Sequence, residues 1–177
     1  MTANVRKEIA WHDMSIGATA DYSANTSKIL RQSVITDYQY NSFFVSANLA
    51  FNIIKNIRLT ESCRWAISQS KSGNYTNMIR NFSNEAALSI AFIPDRLILN
   101  TNLQYTHNSG FTDKKDYTFM NLSITFKTKK KIQFVLNVDN VFNTKTFIYR
   151  SNSNLSESYT LYQLRPRSVM LTTHFAL

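Results

Sequence analysis

Glycine, proline and cysteine are scarce in this chain of 177 residues, at three, two and one respectively. So little glycine and proline excludes collagen-like and low-complexity classes. Three glycines also leave no material for a phosphate-cradling loop. A lone Cys63 cannot make an internal disulfide, which leaves the redox compartment open. Charged residues reach only 18%, against roughly 25% in ordinary proteins. No run of 18 apolar residues exists, which excludes helical membrane spans. The first residues, MTANVRKEIAWHDMSIGATA, contain no apolar core of a secretory signal. An exported protein with this sequence is then expected to be a mature form or a piece of a longer precursor.

What the chain has instead is amide and hydroxyl. Asn, Ser and Thr supply 55 of the 177 residues, and aromatics another 13%. Aromatic and β-branched residues spread along the whole length argue against disorder. The net charge of +9 raises nucleic acid or an anionic membrane surface as a partner.

Alternation of period two dominates. Phe43, Val45, Ala47, Leu49, Phe51 and Ile53 alternate with Ser46, Asn48, Ala50 and Asn52. Ile57, Leu59, Glu61, Cys63, Trp65 and Ile67 alternate with Arg58, Thr60, Ser62, Arg64, Ala66 and Ser68. The same pattern recurs over 85–92, 97–106, 120–127, 132–139 and 168–177, with a weaker segment near 9–22. Sustained alternation means strands with one apolar and one polar face, about eight of them.

The connections alternate as well. Lys55-Asn56, Pro94-Asp95-Arg96 and Thr128 to Lys131 are short, whereas 22–39, 69–82, 107–116 and 140–160 are long and polar. Short turns at one end and long loops at the other characterise transmembrane β-barrels. Strands of about 10–12 residues match the roughly 9–11 that cross a bilayer at a tilt. The sequence therefore predicts an all-β fold, an antiparallel up-and-down transmembrane β-barrel of about eight strands, forming one domain or barrel segment over 1–177.

In such a barrel the apolar face meets outer-membrane lipid and the polar face lines a lumen. Phe43, Trp65, Phe92, Tyr105 and Phe126 are expected near strand ends, as interfacial girdles. Arg58, Arg64, Asn100, Asn102 and Gln104 are the lumen-facing candidates, able to guide or bind a polar solute. Glu61 opposes the pattern: it falls on the apolar side, where a β-bulge or a neutral carboxyl is expected to accommodate it.

The last part of the chain carries a recognisable order of motifs. Asn137-Val138-Asp139-Asn140-Val141-Phe142-Asn143 ends one strand in an Asn-x-Phe-Asn turn. Tyr162-Gln163-Leu164-Arg165-Pro166-Arg167-Ser168 then leads into a final amphipathic strand ending Phe175-Ala176-Leu177. This resembles the C-terminal end of TonB-dependent outer-membrane receptors, especially the Asn-rich ones of Bacteroidetes. The resemblance implies a 22-stranded barrel closed by a plug domain that contacts the TonB complex. On this resemblance the chain is expected to supply about the last eight strands, with no segment matching the plug. It also implies insertion by the barrel-assembly machinery, for which Phe175 and Leu177 are the signal candidates. The family usually finishes on an aromatic residue, and here that place is taken by Leu177.

Catalytic and metal chemistry find little support. His12, His107 and His174 are dispersed and sit in no catalytic motif. One Cys and scattered His give no metal-ligand spacing. Neither enzyme activity nor a cofactor is expected. The run Lys127, Lys129, Lys130, Lys131 has a nucleic-acid reading, but a solvated turn beside anionic headgroups is the simpler one, so no nucleic-acid partner is expected. Two other functional classes stay open. One is a self-contained eight-stranded outer-membrane barrel, structural or adhesive, with loops 22–39 and 140–160 as its contact surface. The other is a soluble barrel whose Leu49, Ile90 and Leu136 converge on an apolar ligand.

Overall fold

β-branched and aromatic residues, with prolines confined to connections, favour extended chain almost throughout. In the structure, a computed structural model, residues 1–31, 33–110, 115–129, 132–152 and 157–175 are described. The strands are β1 (Thr2–Ile9), β2 (Met14–Arg31), β3 (Val34–Ile54), β4 (Ile57–Ser72), β5 (Tyr75–Ile93), β6 (Leu97–Asn108), β7 (Asp116–Lys127), β8 (Ile132–Asp139), β9 (Thr146–Asn152), β10 (Glu157–Gln163) and β11 (Ser168–Phe175). A single 3₁₀ turn, Trp11–Asp13, links β1 to β2. Among the described residues no helix is long and apolar enough to cross a membrane.

Nine strands form one antiparallel up-and-down sheet in the order β1-β2-β3-β4-β5-β6-β7-β8-β11, and β9 pairs with β10 as a separate hairpin. The sheet is open: β1 and β11 are its two edges. The ninth strand arises because the weak pattern near 9–22 is broken by the turn at Ala10–Asp13, with β1 pairing back from Thr2↔Asp21 to Ile9↔Met14.

Two of the expected long loops are strand. β2 and β3 pair without interruption to Arg31↔Val34, and β4 and β5 to Ser72↔Tyr75. The stretches 22–39 and 69–82 are therefore extended hairpin arms, not loops, and most of 140–160 that is described belongs to β9 and β10. The physical reason is that these arms carry no contrast between their faces: Ile29 and Leu30, or Val34 and Ile35, fall on opposite sides among mainly polar neighbours. Ser23, Asn25 and Ser27 lie on one side of β2, Thr26 and Lys28 on the other, and a strand without that contrast has no hydrophobic period. The tight reversals use residues that tolerate the left-handed region: Gly73 (φ 59), Asp95 (φ 59), Asn140 (φ 53) and Asn143 (φ 55).

The register carries each polar or apolar set across the sheet unbroken. Ile16, Leu49, Glu61, Ala86, Leu103 and Met120 are consecutive cross-strand partners on one face. One residue along, Ser15, Ala50, Thr60, Ala87, Asn102 and Asn121 run across the other. Leu49, Ile90 and Leu136 all lie on the apolar face, where Phe43, Val45, Trp65, Leu103 and Phe126 remain exposed.

The few buried side chains are on the opposite side. Tyr38, Ile79 and Tyr117 are the buried hydrophobic residues among those described, and all three project from the polar face. The accessible surface is 12422 Å² for a 20.4 kDa chain, against about 8,800 Å² for a compact monomer of that mass. The molecule is a single-layer wall whose apolar side is not covered by any part of its own described chain.

Candidate functional site

The polar face is knitted by cross-strand side-chain pairs. Asn102 donates to Glu85 at 2.7 Å, Ser123 to Asn137 at 2.7 Å, and Ser23 pairs with Ser42 at 2.7 Å. Asn121 accepts the backbone N–H of Asn140 at 2.9 Å. Amides and hydroxyls suit this role because each can donate and accept along a ladder without requiring a counter-charge.

All five lumen candidates stand on this face. Arg58, Asn100 and Asn102 line a hollow that also takes in Ser123, Asn137 and Asp139. Arg64 and Gln104 line a larger groove of about 940 Å³. Arg64 is positioned by Phe44, whose ring lies 4.1 Å from the guanidinium carbon, so the cation is held over an aromatic surface. Both hollows span several strands of this one face.

The roof of the large groove comes from the β9–β10 hairpin. Phe147 packs edge-on against Tyr117 and Phe119, with ring centres 5.0 and 5.7 Å away, and stacks beside Tyr162 at 6.1 Å. The Ile148 N–H donates to the Tyr117 hydroxyl at 3.3 Å. Tyr117, Phe119, Phe147 and Arg165, which the alternation did not single out, complete the groove together with Asn121 from the polar face of the 120–127 pattern. Phe119 and Tyr117 follow from continuing the β7 parity towards its start. Nothing local in the sequence marks Phe147, because Tyr117 and Phe119 lie far upstream and Tyr162 lies on the next strand of its hairpin.

The motif behind the family resemblance has a defined structural task. Asn140 donates to the Thr144 and Arg165 carbonyls at 2.9 and 2.8 Å and accepts the Thr144 N–H at 2.9 Å. Asn143 accepts the Arg167 N–H at 3.0 Å, and Ser168 donates to Asp139 at 3.3 Å. The two halves of the motif therefore clip together, delivering β11 to the side of β8 and holding Arg165 at the groove.

On the apolar face, Glu61 sits in uninterrupted register; the bulges fall at Asn52/Ile54 and Ala91/Ile93. The expected bulge at Glu61 is absent, and the carboxylate is instead met by Asn84, which donates to it at 2.9 Å. Cys63 lies in the same polar island, 2.8 Å from the Asn84 amide nitrogen. Phe43 and Trp65 are inside β3 and β4, not at their ends, since those strands continue past the apolar band. They still mark its edge: Tyr22↔Phe43, the Phe43–Trp65 rings at 6.1 Å, Trp65↔Phe82 and the Phe82–Tyr105 rings at 6.1 Å make one aromatic row.

Above that row, Asp116 accepts from the Tyr105 hydroxyl at 2.5 Å and meets His107 Nδ1 at 2.7 Å. The Tyr105 hydrogen bond, followed by that of His107, holds the Asp116 carboxyl below its ordinary range. His174 is on the polar side of β11 opposite Gln133, and the side chain of His12 lies outside the described residues. No group of three His, Cys, Asp or Glu that could hold a metal occurs among the described residues. Phe175 ends β11 opposite Ile132 on the apolar side, 70% exposed. Leu177, Lys130 and Lys131 lie outside the described residues. No family model, curated protein or solved structure matches this chain.

Proposed function

We propose that this chain is a wall segment of an outer-membrane β-barrel, of the TonB-dependent receptor class that its terminal motifs resemble, serving nutrient uptake across the bacterial outer membrane. The observation that carries this reading is the inversion of the sheet: among the described residues many large side chains of its apolar face are exposed, while the buried Tyr38, Ile79 and Tyr117 lie on the polar face. A soluble barrel requires the opposite arrangement. The apolar stretch of β4, Ile57 to Ile67, spans about ten steps of roughly 3.4 Å, which at a tilt of about 40° rises about 26 Å, close to the apolar height of such barrels. Aromatics border it on both sides, with Tyr22, Phe43 and Trp65 above and Phe92, Phe126 and Phe175 below, all exposed.

Strand parity favours a segment over a self-contained barrel. With nine alternating strands, β1 and β11 run in the same direction, so joining them would make a parallel seam. An antiparallel closed wall needs an odd number of further strands. In this reading the polar face is lumen, the groove under the β9–β10 hairpin receives a polar solute, and plug, TonB complex and assembly machinery are partners of the whole receptor.

The test is size-exclusion chromatography with light scattering and circular dichroism, with and without detergent. A β-rich species that exists only with detergent or lipid is expected. A β-rich monomer in plain buffer would overturn the membrane reading. Heat-modifiable gel mobility of the isolated chain, the mark of a closed barrel, would favour self-closure over a segment.

A further inference from the structure

Because the strands alternate in direction, the turns after β3, β5 and β7 gather at one end of the sheet. They are tied to neighbouring strands: Asn56 accepts the Ala91 N–H at 2.8 Å, and Arg96 accepts the Lys127 N–H at 2.7 Å. Each brings cations to this rim, namely Lys55, Arg96, Lys127 and Lys129. The three lysines are exposed and Arg96 is half-buried, and none of the four is in an ion pair among the described residues. Acidic groups at this end offset them only in part. Glu8 is held by Arg6 at 3.0 Å, Asp13 accepts from Asn52 at 2.8 Å, and Asp95 shares the turn of Arg96.

Directly beside these cations the apolar face ends in an exposed collar: Ile54 at 57%, Phe92 at 60%, and Ile53, Ile93 and Phe126. Cations set just outside an aromatic and aliphatic border place charge at the level of phosphates when the border enters hydrocarbon. A single-stranded nucleic acid would need aromatics interleaved with the cations as stacking platforms. Here the aromatics belong to the apolar face and the cations form a separate line beyond them.

We propose that Lys55, Arg96, Lys127 and Lys129 form a docking rim for the headgroups of anionic phospholipids, selecting these lipids at the short-turn end of the wall. The proposal rests on the reading that the apolar face meets lipid.

The test places one tryptophan at the border, by Phe126→Trp in a chain that also carries Trp11→Phe and Trp65→Phe. The full chain is refolded into mixed phosphatidylcholine and phosphatidylglycerol vesicles, with bromine on the acyl chains of one lipid or the other. Brominated phosphatidylglycerol is expected to quench with an apparent association about threefold or more above brominated phosphatidylcholine. The preference is expected to fall to near one with Lys55→Gln, Arg96→Gln, Lys127→Gln and Lys129→Gln combined, and to shrink in high salt without any change to the rim. Equal quenching by both lipids, or a preference that survives neutralisation and salt, overturns the rim proposal and leaves the membrane reading intact. No quenching by either lipid overturns the membrane reading itself, and the rim proposal with it.

Discussion

The side-chain amide of Asn140 donates to the carbonyl oxygen of Arg165 at 2.8 Å, across a separation of 25 residues. With its two bonds to Thr144, this one side chain closes the turn after β8 and anchors the start of the path into β11. Between the two anchor points the chain leaves the sheet, forms the β9–β10 hairpin and returns. The contact therefore decides both the pairing of the last strand and the position of the groove roof.

Asn140→Ala removes three hydrogen bonds and forces alanine into the left-handed region (φ 53). A loss of about 2–3 kcal/mol is expected in urea unfolding of the detergent-folded chain. Asn140→Gly relieves the backbone but not the lost bonds, and should recover only part of that loss. Full recovery by glycine would mean that the amide bonds contribute nothing.

Phe147→Ala removes the ring that joins the hairpin to Tyr117 and Phe119. Since Phe147 is only half-buried, about 2 kcal/mol is expected, felt locally as detachment of the roof. Limited proteolysis should then cut within 140–167 much faster while the main sheet stays protected. Unchanged cleavage would show that the hairpin is held by other contacts.

Leu103 and Gln104 are neighbours on opposite faces. Leu103→Arg is expected to cost about 2–4 kcal/mol in a bilayer, whereas Gln104→Arg should be nearly neutral. The comparison is informative because Leu103 is already 38% exposed. In water an arginine there would be tolerated as well as at 104, so equal effects would contradict a lipid-facing band.

Glu61 and Asn84 form a polar pair on the same band. Glu61→Leu combined with Asn84→Leu should stabilise the vesicle-inserted state by about 1–2 kcal/mol, by removing a carboxylate and the amide that serves it. Glu61→Leu alone leaves the Asn84 amide only the weakly accepting Cys63 sulfur at 2.8 Å and should gain less. Destabilisation by the double change would assign the pair a structural role.

Asp116 gives the acid response a direction. Its folded pKa lies below the ordinary carboxylate value, through the Tyr105 hydroxyl first and His107 second. Its contribution is therefore fully present above that ordinary value and is lost as pH falls through the lower folded one. Asp116→Asn should lower stability near neutrality, where the contribution is fully present, and flatten the decline in that acidic window. An acid-unfolding profile identical to that of the unsubstituted chain would remove Asp116 from the account.

The sequence by itself determined the all-β antiparallel class, the two faces of the patterned strands and the tight turns after β3 and β5. Period-two contrast exists wherever one face is apolar and the other polar, and Phe43 to Ile53 or Leu97 to Tyr105 display it plainly. The placement of Arg58, Arg64, Asn100, Asn102 and Gln104 on one common face followed from the same parity.

What only the tertiary structure decided has a common physical cause, the loss of that contrast. The arms at 22–39 and 69–82 mix polar and apolar residues on both sides, so backbone pairing and not side-chain patterning makes them strands. Glu61 is accommodated by a partner on the next strand, Asn84, a cross-strand contact that no local pattern encodes. Phe147 reaches Tyr117 through a hairpin that leaves the sheet entirely, and the clip between Asn140 and Arg165 joins two motifs whose sequence order says nothing of their contact. Alternation reports which side of a strand each residue faces; only the folded sheet decides what each side meets.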